Sequence, residues 1–309
     1  MNRRELLQKT TAFSFLSAVP LLSGSTAIAA GALASDQNTP VASSLKPPAS
    51  GSIPVAFVLS EGAVVIDFSG PWEVFESVSL PRRMDAPFQL YTVAANVNPI
   101  HASGGMKIVP DYSFQNAPVP KVVVIPAQNA SSPAMLDWIR KSSKTADVTM
   151  SVCTGASILA ESGLLAGKSA TTHHGAYKTF AVDYPEIHWK RGLRFVEEGN
   201  LATAGGLSSG IDLALRVVER YFGREIAAAA AFQMEYQGQG WLNPNVNSEY
   251  AKARVSTAEH PLCPVCDMEI APDPKLSSVY QGTTYYFCME HHKAMFDAKP
   301  KAFLEGGML

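Results

Sequence analysis

Asp147-Val148-Thr149-Met150 is short and β-favouring, and it runs directly into Ser151-Val152-Cys153-Thr154-Gly155-Ala156. The next residues, Ser157 to Leu165, carry a helical pattern that ends at Gly163. A strand that turns at once into a helix puts its turn residue at the carboxyl edge of a sheet. The small residues after Cys153 let the chain close up there. This is the layout of a nucleophile elbow, with Cys153 at the apex. The positive end of the following helix and its free N–H groups favour an anion at that point, so the expectation is a thiolate, the reactive form of cysteine. The plain alternative is a small buried cysteine in a strand.

The residues on either side repeat the strand-then-helix alternation. Ile53 to Leu59, Phe88 to Ala95 and Lys121 to Ile125 read as buried strands, and Met106 to Phe114 as a hairpin arm. Helices are expected from Asp67 to Phe75, with Pro71 near the first turn and Asp67 as a candidate N-cap, and from about Pro133 to Ser143. Ala202 to Gly206 turns into a long helix over Ser208 to Phe222, and Arg224 to Tyr236 is a further, Ala-rich helix. Strands alternating with helices predict an α/β fold, a flavodoxin-like sandwich whose parallel sheet is covered on both faces. Any reactive site is expected at the carboxyl ends of its strands.

The chain begins with Arg3-Arg4 ahead of an apolar run from Ala12 to Leu22, followed by small residues that offer A-x-A cleavage sites. This predicts a twin-arginine signal over residues 1–34, export to a bacterial periplasm, and a flexible Pro/Ser/Ala-rich linker over residues 35–52. The run is short and broken by Pro20, so no stable membrane insertion is expected once the signal is cleaved. A net charge of −2 over 309 residues supplies no basic face for nucleic acid.

Residues 53–241 form the predicted first domain, 242–258 a polar linker, and 259–309 a second domain. Within the last, Cys263-x-x-Cys266 is followed by a hairpin around Gly282-Thr283 and then by Cys288-x-x-His291-His292. This is metal-ligand spacing, and the donors suit zinc, or copper if the site is thiolate-rich. The alternative is a disulfide among the three cysteines. A domain this small needs one staple or the other.

Five motifs in order give a more specific reading: Asp67-x-x-Gly70-Pro71-x-Glu73-x-Phe75, Gly104-x4-Val109-Pro110-Asp111, Val152-Cys153-Thr154-Gly155-Ala156, Gly163-Leu164-Leu165-x-Gly167 and Ala170-Thr171-Thr172-His173. Together they resemble the DJ/PfpI superfamily of the class I glutamine amidotransferase-like fold, most of all its isonitrile hydratases and the ligand-binding half of AraC-type regulators. Thr154 replaces the histidine of the Cys-His dipeptide in the superfamily's peptidases, so no peptidase is expected. The resemblance implies Cys153 as nucleophile, Asp67 as proton shuttle, Thr154 as a donor to the substrate through its N–H and hydroxyl, and His173 at the rim. His174 stands where close relatives have Trp. Pro126-Ala127-Gln128 stands where they have Gly-Gly, whose N–H helps to form an oxyanion hole. Residues 263–304 resemble the treble-clef-like YHS domain, with Cys263 where Asp is usual and His292 where a second Cys is common.

The resemblances imply an exported hydratase or lyase acting on a small electrophilic molecule, with a metal in the second domain and no cofactor in the first. Self-association as a homodimer is compatible with this. The alternatives are a non-catalytic periplasmic metal-handling or ligand-sensing protein, or a glyoxalase-like activity. A transcription regulator is disfavoured by the export signal.

Overall fold

The computed structural model describes residues 44–305 apart from residues 82, 130, 253, 258 and 272. The expected export signal, the first part of the linker after it and the last four residues lie outside the described residues.

Strand β1 (Ile53–Val58) leads into α1 (Val65–Glu76) and β2 (Phe88–Ala94). A small hairpin of β3 (Ile100–His101) and β4 (Lys107–Ile108) precedes β5 (Tyr112–Ser113), β6 (Val122–Ile125), α2 (Pro133–Ser143), β7 (Val148–Val152) and α3 (Ala156–Glu161). Then come β8 (Ser169–Ala170), α4 (Tyr177–Asp183), β9 (His188–Trp189), β10 (Phe195–Glu198), β11 (Leu201–Ala204), α5 (Ser209–Phe222) and α6 (Arg224–Gln233). Seven strands form one sheet in the order β10-β11-β7-β6-β1-β2-β5. It is parallel except for β10, which runs antiparallel to β11 at one edge.

Period-two alternation explains why both faces are covered. Val55 and Phe57 of β1, with Val122 and Val124 of β6, join Val74, Leu213 and Val217 in one core. Their neighbours Ala56, Val58, Val123 and Ile125 point the other way and meet Met135, Ile139 and Leu159. The strand order sets β1, β6, β7 and β11 side by side, so the turns after their carboxyl ends lie along one edge of the sheet.

Four details differ from the sequence reading. The Met106 to Phe114 hairpin arm splits into β4, paired back on β3, and β5, which adds in parallel to β2. Pro110 lacks the N–H a continuous strand would use. The next residue, Asp111, accepts from the Thr92 N–H at 2.8 Å and its hydroxyl at 2.7 Å, which ties the turn to β2. The flexible linker before β1 ends docked: Leu45 packs on the core and donates its N–H to the Arg220 carbonyl at 2.8 Å. The segment after α6 is also laid on the first domain. The buried Asp212 carboxylate accepts from Arg194, the Tyr236 hydroxyl and the Trp241 N–H, and a 3-10 helix follows over Pro244–Tyr250. Lastly, the hairpin turn in the second domain is Gln281-Gly282, one residue earlier than expected, and both residues have positive φ.

That second domain is α+β: a knuckle closed by a Leu262–Glu269 bridge, the hairpin β12 (Ser277–Tyr280) and β13 (Thr283–Tyr286), then α7 (Glu290–Ala298) and α8 (Pro300–Glu305). Its core gathers Cys263, Val265, Cys266, Ile270, Phe287, Phe296 and Phe303, and Val182 of α4 packs against it. Among the described residues no helix is long and apolar enough to cross a membrane.

Candidate active site and metal centre

β7 ends at Val152, and Cys153 turns the chain with φ of 59°, a left-handed conformation that costs a non-glycine residue energy. Three contacts hold the strain in place. The Cys153 N–H donates to the Gly205 carbonyl at 2.9 Å, its carbonyl accepts the Thr172 hydroxyl at 3.0 Å, and the 3-10 turn Cys153–Gly155 runs straight into α3. Gly155 is obligatory, because a Cβ there would lie 2.4 Å from the Ile125 carbonyl oxygen. The elbow is therefore seated hard against the end of β6.

Asp67 is wholly buried in the first turn of α1. It is not the N-cap: Val64 holds that position, the helix begins at Val65, and Pro71 sits inside it. Asp67 Oδ2 accepts the Ala127 N–H at 3.1 Å, whereas Oδ1 has no full hydrogen bond among the described residues, although the Cys153 thiol stands against the carboxyl. Burial raises the Asp67 pKa from 3.8 to about 6, against the lowering influence of Ala127 and Cys153.

The Ala127 contact resolves the departure from Gly-Gly. No positive φ is needed there, so Ala is accommodated. Its N–H is committed to holding Asp67 and does not serve as an oxyanion donor. The neighbouring Gln128 is likewise committed, accepting from Ser60 at 2.7 Å and donating to the Val58 carbonyl at 3.2 Å.

The donors at the sulfur are the N–H groups of Thr154 and Leu207 and the Thr154 hydroxyl. They do not produce the expected thiolate. Burial, followed by the Asp67 charge, pushes the Cys153 thiol from 9.0 up to about 11. The six-residue α3 and its few donors do not outweigh a site where the sulfur-bearing residue is only 7% exposed. Burial thus favours the protonated form of each of the two groups. Leu207 escaped the sequence reading. The available signal was Gly205-Gly206 after β11, a second tight turn on the strand beside β7; Leu207 follows it at φ 39°.

His173 is not hydrogen-bonded to Cys153 or Asp67 among the described residues. Its Nδ1 accepts the Gly175 N–H at 3.2 Å, and its ring lies against Gly206, where an added Cβ would come within 2.7 Å of it. It stacks on His174 at 4.2 Å between centroids, and burial followed by the His174 charge lowers its pKa. Cys153, Asp67 and Thr154 thus come together, with His173 at the edge of the same turn.

In the second domain the Cys263, Cys266, Cys288 and His292 donor atoms lie within 4.8 Å of one another. Cys288 Sγ is 3.1 Å from His292 Nδ1, Cys266 Sγ is 3.6 Å from Cys288 Sγ, and Cys263 Sγ is 3.8 Å from His292 Nδ1. A tetrahedral ion with arms of roughly 2.0–2.3 Å has ligand–ligand edges of about 3.3–3.8 Å, so the cluster has the size for one metal. The first turn of α7 separates the two histidines: His292 aims its Nδ1 at Cys288, which precedes the helix, while His291 is exposed and outside the cluster. The cysteines are free thiols. Hydrogen bonds from Cys266 and His292 draw the Cys263 thiol down, and Cys263 in turn pushes Cys266 up. Burial and then the Cys263 charge raise Cys288. A cation at the centre removes that conflict between neighbouring thiolates.

An α/β sheet with a strained cysteine at its carboxyl edge, joined to a small Cys3His module, defines the class of protein. The family model described as DJ-1/PfpI family matches residues 54–220, and that described as YHS domain matches residues 263–306. The chain belongs to the DJ-1/PfpI family. It is similar to an isonitrile hydratase of Pseudomonas putida, 34% identical over 190 residues that cover 60% of this chain and 79% of that protein. It is also similar to the HTH-type transcriptional regulator CdhR of Pseudomonas aeruginosa, at 28% identity, covering 57% of this chain and 53% of the regulator. Among solved structures, a ThiJ/PfpI family protein from Pseudomonas syringae superposes with a TM-score of 0.54 at 27% identity, over 61% of this chain and 76% of that one. Drosophila melanogaster DJ-1beta, at 20% identity and a TM-score of 0.52 over 61% of this chain and all of its own, shares the fold.

Proposed function

We propose that the chain is a cysteine-dependent hydratase, a lyase that adds water to a small isonitrile, with Cys153 as nucleophile and Asp67 as the proton carrier. The observation that carries it is the buried Cys153–Asp67 pair, one strained and one lifted to a pKa of about 6, with the Thr154 and Leu207 N–H groups aimed at the sulfur. The similarity to an isonitrile hydratase supports the substrate class.

The proton inventory gives the order of events. Asp67, ionised at neutral pH, takes the thiol proton as sulfur bonds to the terminal carbon of R–N≡C, and passes that proton to the same carbon. The product is a thioimidate, R–N=CH–S–Cys153. Water then adds to the carbon, Asp67 relays a proton from water to nitrogen, and the C–S bond breaks. The N-substituted formamide leaves and the thiol returns. No redox step is required. A carboxyl group poised near pH 6 serves both as acceptor and as donor.

The second domain is proposed to hold one zinc or copper ion through Cys263, Cys266, Cys288 and His292. The ion supplies a structural clamp to a domain with a small core. The protein is proposed to reach the periplasm by the twin-arginine route and to act on a small molecule as a monomer or homodimer. Purified protein assayed with an alkyl isonitrile should form the formamide, and Cys153→Ala should form none. Turnover of methylglyoxal to lactate instead would replace the hydratase reading with a glyoxalase-like one. Specific binding without turnover of either would favour the ligand-sensing alternative, to which the regulator relatives lend support.

A further inference from the structure

One short segment of the first domain, Thr172–Lys178, touches both the Cys153 elbow and the metal knuckle of the second. Thr172 donates its hydroxyl to the Cys153 carbonyl at 3.0 Å, and His173 lies against Gly206 in the turn that carries the Leu207 donor. Two residues on, a Cβ at Gly175 would be 3.8 Å from the carbonyl oxygen of Cys266, a proposed metal ligand. Lys178, one turn further into α4, pairs with Asp267 at 2.5 Å, and Arg191 approaches the other oxygen of the same carboxylate at 3.8 Å. All three side chains are largely buried, 12–15% exposed.

Asp267 is the residue that turns the metal knuckle. It stands at φ 57° immediately after Cys266, its N–H donates to the Cys263 carbonyl at 3.0 Å, and its own carbonyl accepts from Arg254 at 3.1 Å. Its backbone conformation therefore belongs to the metal loop, while its side chain belongs to the contact with the first domain. A carboxylate taken this far from water is retained only with its partners in place.

We propose that the metal-loaded knuckle positions the Cys153 elbow: the ion fixes Asp267, Asp267 holds Lys178 and Arg191, and the segment Thr172–Lys178 so anchored keeps Thr172 on the Cys153 carbonyl and His173 against Gly206. Asp267 is on this account a positioning residue, acting through the segment and touching no substrate. The inference rests on the metal reading given above, but not on the identity of the reaction.

The test uses the full-length metal-loaded protein, the same protein after chelation, Asp267→Asn, Asp267→Glu and Lys178→Met. Lys178→Met alters only the first domain's side of the contact and leaves every metal ligand in place. Two quantities are read: the rate at which iodoacetamide alkylates Cys153, resolved by peptide mass spectrometry, and amide hydrogen exchange over residues 173–178. Chelation, Asp267→Asn and Lys178→Met should each speed Cys153 alkylation about tenfold and expose those amides, as expected of a segment that opens locally. Lys178→Met should retain its metal, and Asp267→Glu should recover part of the protection. A metal-loaded wild type whose Cys153 alkylation and amide exchange are unchanged by chelation, by Asp267→Asn and by Lys178→Met would overturn the coupling and leave the metal site standing. A purified chain that binds no metal would overturn both.

Discussion

At the scale of single residues, the proposed chemistry turns on the pairing of Cys153 with a buried carboxyl group, Asp67. The cysteine was legible from its strand-turn-helix setting. Its protonation state was not, because sequence shows the helix but not how deeply the sulfur is buried or that a carboxylate faces it. Asp67 was legible as a candidate, yet its place inside α1 was obscured by Pro71, which invites a later helix start. The raised pKa of Asp67 has a direct consequence for stability. The folded protein binds this proton more tightly than the unfolded chain, so ionising the carboxyl costs stability. The cost is absent below about pH 4, grows as pH rises through about 6, and then levels off. Holding the proton up to about pH 6 instead of 3.8 corresponds to roughly 3 kcal/mol. Asp67→Asn can keep the Ala127 hydrogen bond and carries no charge. It should therefore raise the melting temperature by several degrees at pH 8 and change it little at pH 4. A variant equally stabilised at both pH values would show that the carboxyl is not strained by burial.

At the scale of elements, the elbow depends on the approach of α3 to β6. Gly155→Ala would drive a methyl group into the Ile125 and Pro126 carbonyls, at 2.4 and 2.7 Å, and backbone cannot yield as a side chain does. The expected outcome is a loss of at least about 2 kcal/mol in denaturant unfolding, the usual scale of overpacking. In the second domain the knuckle, hairpin and helix each had a clear signature in Cys-x-x-Cys, in Gly282 and in the Cys288–His292 spacing. What separates His292 from His291 is direction within the first turn of α7: His292 turns its Nδ1 to Cys288, just ahead of the helix, whereas the neighbouring His291 points out and is exposed. Cys266→Ser should accordingly lose the metal, measured by elemental analysis, whereas His291→Ala should keep it. Equal metal loss from both would contradict the assignment.

At the scale of the whole molecule, the main features of the α/β sheet were readable from strand–helix alternation, most plainly where β1 and β6 are compact apolar runs, and less so at β7 and β11, which carry Thr, Ser and Ala though fully buried. The segments between were less readable still. Residues 242–258 look like a linker because they are polar, but the Pro244 carbonyl accepts the Arg194 N–H at 2.7 Å, and a long-range pairing of that kind leaves no local pattern. Tyr250 similarly stacks on His174, with 4.9 Å between centroids. Asp267 with Lys178 is a pairing across 89 positions and is just as silent. The proposed export is tested on the whole chain: Arg3→Lys with Arg4→Lys should leave folded protein in the cytoplasm, and undiminished periplasmic accumulation would remove the twin-arginine reading. On the proposed mechanism Cys153 and Asp67 share one working proton, and the pH dependence of kcat/KM for alkyl isonitrile hydration reads that sharing out. The wild-type profile should rise with an apparent pKa near 6 as Asp67 ionises. Asp67→Asn should lose that limb and about 10²–10⁴-fold in rate, and Cys153→Ala should be inactive. A wild-type limb near 6 that survives in Asp67→Asn, or turnover that survives in Cys153→Ala, would contradict it.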